Sequence, residues 1–437
     1  MRHSIRLLTA GLVSVTLVAG SVAFASASER PQGAPGVTAT RVNVGAIVSE
    51  SGPIAADFKP YLSGVRAYFD YANSLGKING RTINLAYPLD DTSNPTTDIT
   101  DARTLVTADH AFAVVGVSVP FFTGASYLKS QGTPTFGYAT GNVWAGTKSF
   151  FADYGSVLDY NSSVPFFAYL AHETHTKKVA VVALSYASSQ DECKGAISGL
   201  KLYHFDVAYS NIKEPITNSW GTEANKIRLS GATMVVSCMD VNSNVGLSKQ
   251  MKLYGMKPVQ LWLDGYDRSI LKSDAHYMAD TFLLLQHIPF EAAKVYPGAF
   301  PGLNLYFKEM VKYGFSTDEY SDVALMGWES ANLFTQGLRA AGKNPTQASL
   351  VNAINKIKRD NGGPAGGVTA PINWTIAHTG NTSPACETWV VTQNTSSSSP
   401  SFKMAFNTGP HPWICFPLHG LANLNKPVKP PAGTPGA

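Results

Sequence analysis

The chain has 437 residues, 44% hydrophobic and only 15% charged, against about 25% charged in an ordinary soluble domain. That balance excludes an acidic or basic disordered protein, which lacks the apolar residues to fold. Lys+Arg 34 against Asp+Glu 30 leaves +4 with no basic stripe, which excludes a charge-driven nucleic-acid binder.

In chain order, residues 1–27 read as a secretory signal. Arg2, His3 and Arg6 precede an apolar run from Leu7 to Ala19, and Ala25-Ser26-Ala27 supplies a small-x-small cleavage pattern. The run is too short for a spanning helix, which needs about 20 residues. An uncleaved N-terminal anchor is the alternative. No cysteine stands near the cleavage site to carry a lipid. The expectation is therefore an exported protein, periplasmic or cell-wall associated and not lipid-anchored. Residues 28–40 read as a Pro/Gly/Ser linker. Residues 421–437, with Pro427, Pro430, Pro431 and Pro435, read as a disordered tail.

Between these ends, short runs rich in Val, Ile and Phe alternate with helix-like stretches. The expected strands are Val42–Val48, Thr82–Tyr87, Ala113–Val117, Thr135–Gly137, Val179–Leu184, Val207–Ser210, Met234–Cys238, Gln260–Leu263 and Phe282–Gln286. Helical periodicity fits Ala55–Leu75, Asp98–Asp109, Val157–His172, Ser189–Leu200, Asn242–Tyr254 and Asp322–Ala341. Such alternation implies parallel sheets covered on both faces. So many strands fit two doubly wound α/β lobes better than one sheet, given ordinary domain sizes. Ligands then sit beyond the carboxyl ends of the strands.

Four cysteines follow the signal: Cys193, Cys238, Cys386 and Cys415. In an oxidising compartment they allow three connectivities. Cys193–Cys238 with Cys386–Cys415 is expected, each closing a loop and adding roughly 3.5–4 kcal/mol by loop entropy. Four free thiols are the alternative. No pair has the C-x-x-C spacing of zinc or redox sites.

Several catalytic patterns are incomplete. His172-Glu173-Thr174-His175 lacks the i, i+4 histidine spacing of a zinc helix, so no metal is expected there. Gly141 to Ser149 approaches a phosphate loop, but Thr147 intrudes between Gly146 and Lys148. Ser126-x-x-Lys129 and His378-Thr379-Gly380 echo an acylating-serine set without its middle element. No cofactor is implied.

A more specific series spans the first folded residues. It runs Val42-Asn43-Val44-Gly45, then Ser51-Gly52-Pro53, then Gly76-Lys77-Ile78-Asn79-Gly80-Arg81, then Asp90-Asp91-Thr92-Ser93-Asn94-Pro95, then Val114-Val115-Gly116. Later, Ala324-Leu325-Met326-Gly327-Trp328-Glu329 and Pro371-Ile372-Asn373-Trp374 continue it. In this order the motifs resemble the leucine/isoleucine/valine-binding family of solute-binding proteins, the type I periplasmic binding fold. The resemblance covers about Arg41 to Val391.

The resemblance implies two Rossmann-like lobes joined by a hinge that the chain crosses three times, closing on a solute between them. The expected lobes are 41–157 plus 288–380 and 158–287 plus 381–420. It further implies delivery to the permease and ATPase of an ABC importer, by a monomer without catalysis. By its pattern, Ser118 and Thr140, with Tyr138, are expected as first-lobe contacts. Ser189, Asp240, Asp264 and Tyr266 are expected from the second lobe, with Asp264 placed to pair a ligand ammonium. Helix capping is the alternative for Ser118, Thr140 and Asp264. Ser188 and Ser189 before Asp191 and Glu192 also read as a capping box.

Val119-Pro120-Phe121-Phe122 stands where the amino-acid-binding members of the family carry small hydroxyl residues, and Trp144 and Tyr186 stand near strand ends. With Trp262 they either line a flatter cleft for an aromatic or apolar acid or amide, or fill the core. A solute sensor of the same fold is the second reading, and a hydrolase using Ser126 the third.

Overall fold

A computed structural model of the chain describes residues 33–156, 165–216, 219–317, 320–379, 385–417 and 421–436. The signal (1–27), residues 28–32 of the linker, and the lobe boundaries expected at 157/158 and 380/381 lie outside the described residues.

The first sheet is built from β1 (Arg41–Val48), α1 (Tyr61–Ser74), β2 (Thr82–Asp90), α2 (Pro95–Thr107), β3 (Val114–Ser118), α3 (Ala125–Ser130), β4 (Thr135–Gly137) and β5 (Phe150–Ala152). Its order is β2-β1-β3-β4-β5, all parallel. The run Val44-Gly45-Ala46-Ile47-Val48 is buried throughout, as a strand covered on both faces must be. α2 starts where Asn94 accepts from Thr96 N at 2.8 Å and Pro95 takes the first turn, which needs no N–H donor. The helix expected over Ala55–Leu75 is split. Ala55–Asp57 is a single 3₁₀ turn, and α1 starts only after Pro60, whose ring disfavours helix in the residue before it. This break sets Asp57 at the mouth of the strands.

The second sheet follows from α4 (Pro165–Glu173), β6 (Lys178–Leu184), α5 (Ala187–Leu202), β7 (Asp206–Glu214), α6 (Gly221–Ser230), β8 (Met234–Cys238), α7 (Val241–Leu253), β9 (Val259–Trp262), α8 (Arg268–Asp274) and β10 (Thr281–Leu285). The chain then returns to the first lobe through α9 (Phe290–Val295), α10 (Pro301–Lys312), α11 (Asp322–Ala341) and α12 (Gln347–Ile354). It ends in the second with β11 (Ala385–Gln393), β12 (Ser401–Met404) and β13 (Ile414–Phe416). The sheet order is β12-β11-β10-β9-β8-β6-β7, with β13 on β11 and β11 antiparallel to β10. Two α/β lobes, crossed three times by the chain, result. α11 packs on α1 backbone to backbone. A Cβ on Gly64 would stand 1.7 Å from the Ala324 carbonyl, and one on Gly327 2.0 Å from that of Tyr61.

The elements that escaped the sequence pattern include β5, which is three residues long, α6, α9, α10 and α12, and β11 with the β12 and β13 strands that flank it. Both expected disulfides form, Cys193–Cys238 tying α5 to β8 and Cys386–Cys415 tying β11 to β13. The tail expected to be disordered is instead packed. Ala422 and Leu424 are buried with the second-lobe core, and Val428 bridges to Cys415. Trp413 Nε1 donates to the Pro435 carbonyl at 2.7 Å. Proline there removes donors, which leaves the carbonyls free to be used by neighbours. Among the described residues no helix is long and apolar enough to cross a membrane.

Candidate functional site

The carboxyl ends of β1, β3 and β4 face those of β6, β8 and β9 across a cleft. Tyr138, just beyond β4, donates its hydroxyl to Asp264 Oδ1, just beyond β9, at 3.0 Å. Asp57 reaches from the first lobe to the second, and its two carboxylate oxygens accept from Val241 N at 3.2 and 3.1 Å. Val241 is the first residue of α7, and Asp240 caps the same helix by accepting from Ser243 N at 3.1 Å. Phe121 and Tyr186 meet edge to face from opposite lobes, with centroids 5.4 Å apart. Asn142 Nδ2 donates to Asp191 Oδ2 at 3.3 Å at the rim. The lobes thus touch directly.

A narrow pocket between them is walled by Asp57, Asp264, Asp267, Ser321 and Asp322, and no Lys, Arg or His is among the residues lining it. The acids raise one another. Burial pushes Asp264 up to about 6; the Tyr138 hydrogen bond works against this and the Asp240 charge adds to it. Burial holds Asp57 well above the carboxylate range, with the Asp264 and Asp240 charges adding and the Val241 amide opposing. Asp322 is raised well above its usual value by burial and by Asp264. Glu192, on α5, is pushed up to about 8 by burial and by the Asp264 and Asp191 charges. Desolvated carboxylates without a cation are costly, so burial here favours their protonated forms.

Of the residues singled out in the sequence, Tyr138, Asp240, Asp264, Phe121 and Tyr186 come together here. Others are engaged elsewhere. The Ser118 hydroxyl is buried and donates to the Phe58 carbonyl at 3.0 Å, and that of Thr140 donates to the Val119 carbonyl at 3.2 Å. Ser189 accepts from Leu184 N at 2.8 Å and donates to the Cys238 carbonyl, so it joins β6 to β8 instead of facing a solute. No capping box forms at α5, whose N-cap is Tyr186 without a side-chain bond. Tyr266 is a core residue. Its hydroxyl lies between Glu291 Oε2 and Phe290 N, and its ring packs on Phe290 and Phe402. Phe122 and Trp144 pack at a tilt against each other, both pack against Phe150 inside the first lobe, and Trp262 is buried in the core. Aromatic burial outweighed cleft lining at these positions because such large apolar faces gain most when dry.

Two cleft residues had no sequence signal for this place: Asp57 and Asp322. Asp57 sits in a turn with no motif, and Asp322 reads as the first turn of a helix. Only the approach of the two lobes sets Asp57 beside Asp264, and Glu192, on α5 of the same lobe as Asp264, lies in the stretch that read as a capping box. Among the described residues no group of three or more His, Cys, Asp or Glu is placed to hold a metal ion. His172 pairs with its neighbour Glu173 at 3.0 Å at the end of α4, and His175 lies beyond the helix.

Comparison with solved structures finds the same fold at low identity. A solute-binding protein of R. palustris, in complex with 4-hydroxybenzoate, is 16% identical over 81% of this chain and 93% of its own, with a TM-score of 0.67. A fatty acid ABC transporter substrate-binding protein from Thermomonospora curvata is 15% identical over 92% and 98%, at 0.67. A branched-chain amino acid transporter substrate-binding protein from Streptococcus pneumoniae, in complex with isoleucine, is 16% identical over 84% and 100%, at 0.66. Comparison with curated protein sequences finds no match. The sequence model of the periplasmic binding protein family matches residues 41–394, and the chain belongs to that family.

Proposed function

We propose that the chain is the exported solute-binding component of an ABC importer, without catalysis of its own. It holds a small solute bearing a positively charged nitrogen between its lobes. The observation that carries this reading is Asp264, a carboxylate raised by burial, bonded across the cleft by Tyr138 and facing no basic side chain in the pocket. A cation there would supply the missing counter-charge, and a buried pair with good geometry is worth far more than an exposed one. The similar proteins named above carry an aromatic acid, a fatty acid or an amino acid by their descriptions. The acid-walled pocket favours the ammonium-bearing member of that range over the two anions. The lobes close by hinge motion and present the occupied state to a permease.

The test is mass spectrometry of solute co-purifying with the protein, followed by thermal shift against ammonium-bearing solutes and aromatic and fatty acids. A ligand at a hundred times its dissociation constant stabilises by about 2.7 kcal/mol, enough to register. Stabilisation by the acids alone, or by no solute of any class, overturns the reading.

A further inference from the structure

We infer that the solute is an organic cation without a carboxylate, such as an amine or guanidinium compound, and that Asp57 enforces this. The inference rests on the cleft being the solute site, as proposed above.

An amino acid carries two charges, and a cleft that takes it needs a place for each. The natural place for a carboxylate in this fold is a helix N-terminus, where free amides and the helix dipole favour negative charge. At α7, α8 and α11 a carboxylate of the protein already stands at this place. The first amide of α7 is taken by Asp57 from the opposite lobe, and its third by Asp240. The first turn of α8 is capped by Asp267, which accepts from Ser269 N and Ile270 N. α11 opens with Asp322, whose Oδ1 accepts from Val323 N at 2.9 Å. The hydroxyls of Ser118 and Thr140, the other groups able to hold an anion at strand ends, donate to backbone carbonyls.

The Lys59 charge acts on the wall residue Asp267, and Arg268 lies over the Tyr320 ring at 5.3 Å. A ligand carboxylate at this wall would keep Asp264, Asp57 and Asp322 from ionising, whereas an ammonium or guanidinium would draw them into their charged form and meet all three together. Asp57 acts here as the specificity residue. It occupies the α7 amide that a ligand carboxylate would use, and, once ionised beside a bound cation, it repels a carboxylate on the same ligand.

Calorimetry with pairs that differ only in the carboxylate tests this: agmatine against arginine, cadaverine against lysine, 3-methylbutylamine against leucine. In at least one pair the amine is expected to bind about tenfold or more tightly than its amino acid. Asp57→Ala, which frees the Val241 amide, is expected to narrow that gap by raising amino-acid affinity, a gain that misfolding cannot produce. Asp57→Asn keeps the size of the side chain and is expected to raise amino-acid affinity as well. Amino acids binding the wild type as tightly as their amines would overturn the inference while leaving an ammonium-binding cleft in place. Failure of both members of every pair to bind would overturn the ammonium reading and this inference together.

Discussion

The Tyr138 hydroxyl donates to Asp264 Oδ1 at 3.0 Å from one lobe to the other, so the residue proposed to receive the solute also helps hold the cleft shut. A cation entering there competes with this hydrogen bond for the same carboxylate.

Replacing the carboxylate should separate binding from folding. Asp264→Asn is expected to cost about 2–5 kcal/mol of solute affinity, the usual loss when one partner of a buried charged pair is removed. Its unfolding midpoint should stay close to wild type, because no cation of the protein depends on Asp264. Calorimetry and urea unfolding on the same preparation decide it. Tyr138→Phe should instead open the unliganded protein, seen as a larger radius of gyration in small-angle scattering.

Solute affinity should depend on pH with a definite sign. Asp264 is held at about 6, and only its ionised form pairs with a cation. Amine affinity should therefore rise from pH 5 to pH 7.5 and fall again on acidification, whereas Asp264→Asn should flatten this rise. Glu192, held at about 8, would extend the rise on the alkaline side.

Asp153, at the end of β5, gives a stability effect of the same origin away from the cleft. Burial pushes it up to about 8, although it accepts from Ala139 N at 3.2 Å. A carboxyl raised in the folded state contributes stability below its ordinary value and loses it as pH rises through about 8. The wild type should weaken between pH 6.5 and 8, and Asp153→Asn should weaken less, so that the gap in urea midpoint widens with pH. His287 and His378, lowered to about 4 by burial, act below this window, where their contribution fades as pH falls.

The last residues of the chain should matter to stability. Removing residues 421–437 uncovers the surface under Ala422 and Leu424 and deprives Trp413 Nε1 of its acceptor. Burial of a leucine side chain is worth about 1.5–3 kcal/mol, so truncation should lower the melting temperature by a few degrees, read by calorimetry. An unchanged melting temperature would return the segment to the status of a free tail.

Reduction should weaken the second lobe. Both disulfides lie there, one between α5 and β8 and one between β11 and β13. Each should contribute roughly 3.5–4 kcal/mol, so dithiothreitol should lower the urea midpoint of the second lobe, followed by a probe placed in it.

The sequence by itself determined the α/β alternation, the parallel strands and the family. These follow from local periodicity, short-range composition and an ordered series of motifs, none of which needs a distant contact. It also put Asp240 and Asp264 at strand ends, because a carboxylate just past a buried strand lies near the cleft in any doubly wound sheet. Tertiary structure alone decided which side chains face each other. Whether Trp144, Phe122 and Tyr266 line a cleft or fill a core depends on the neighbours that come to cover them. A hydroxyl such as that of Ser118 is available to a solute only if no carbonyl of the chain comes within reach, and Phe58 does. Asp57 shows the difference most clearly. It is an ordinary turn residue along the chain, and it takes on a role only when closure sets it on the first amide of a helix 184 positions later.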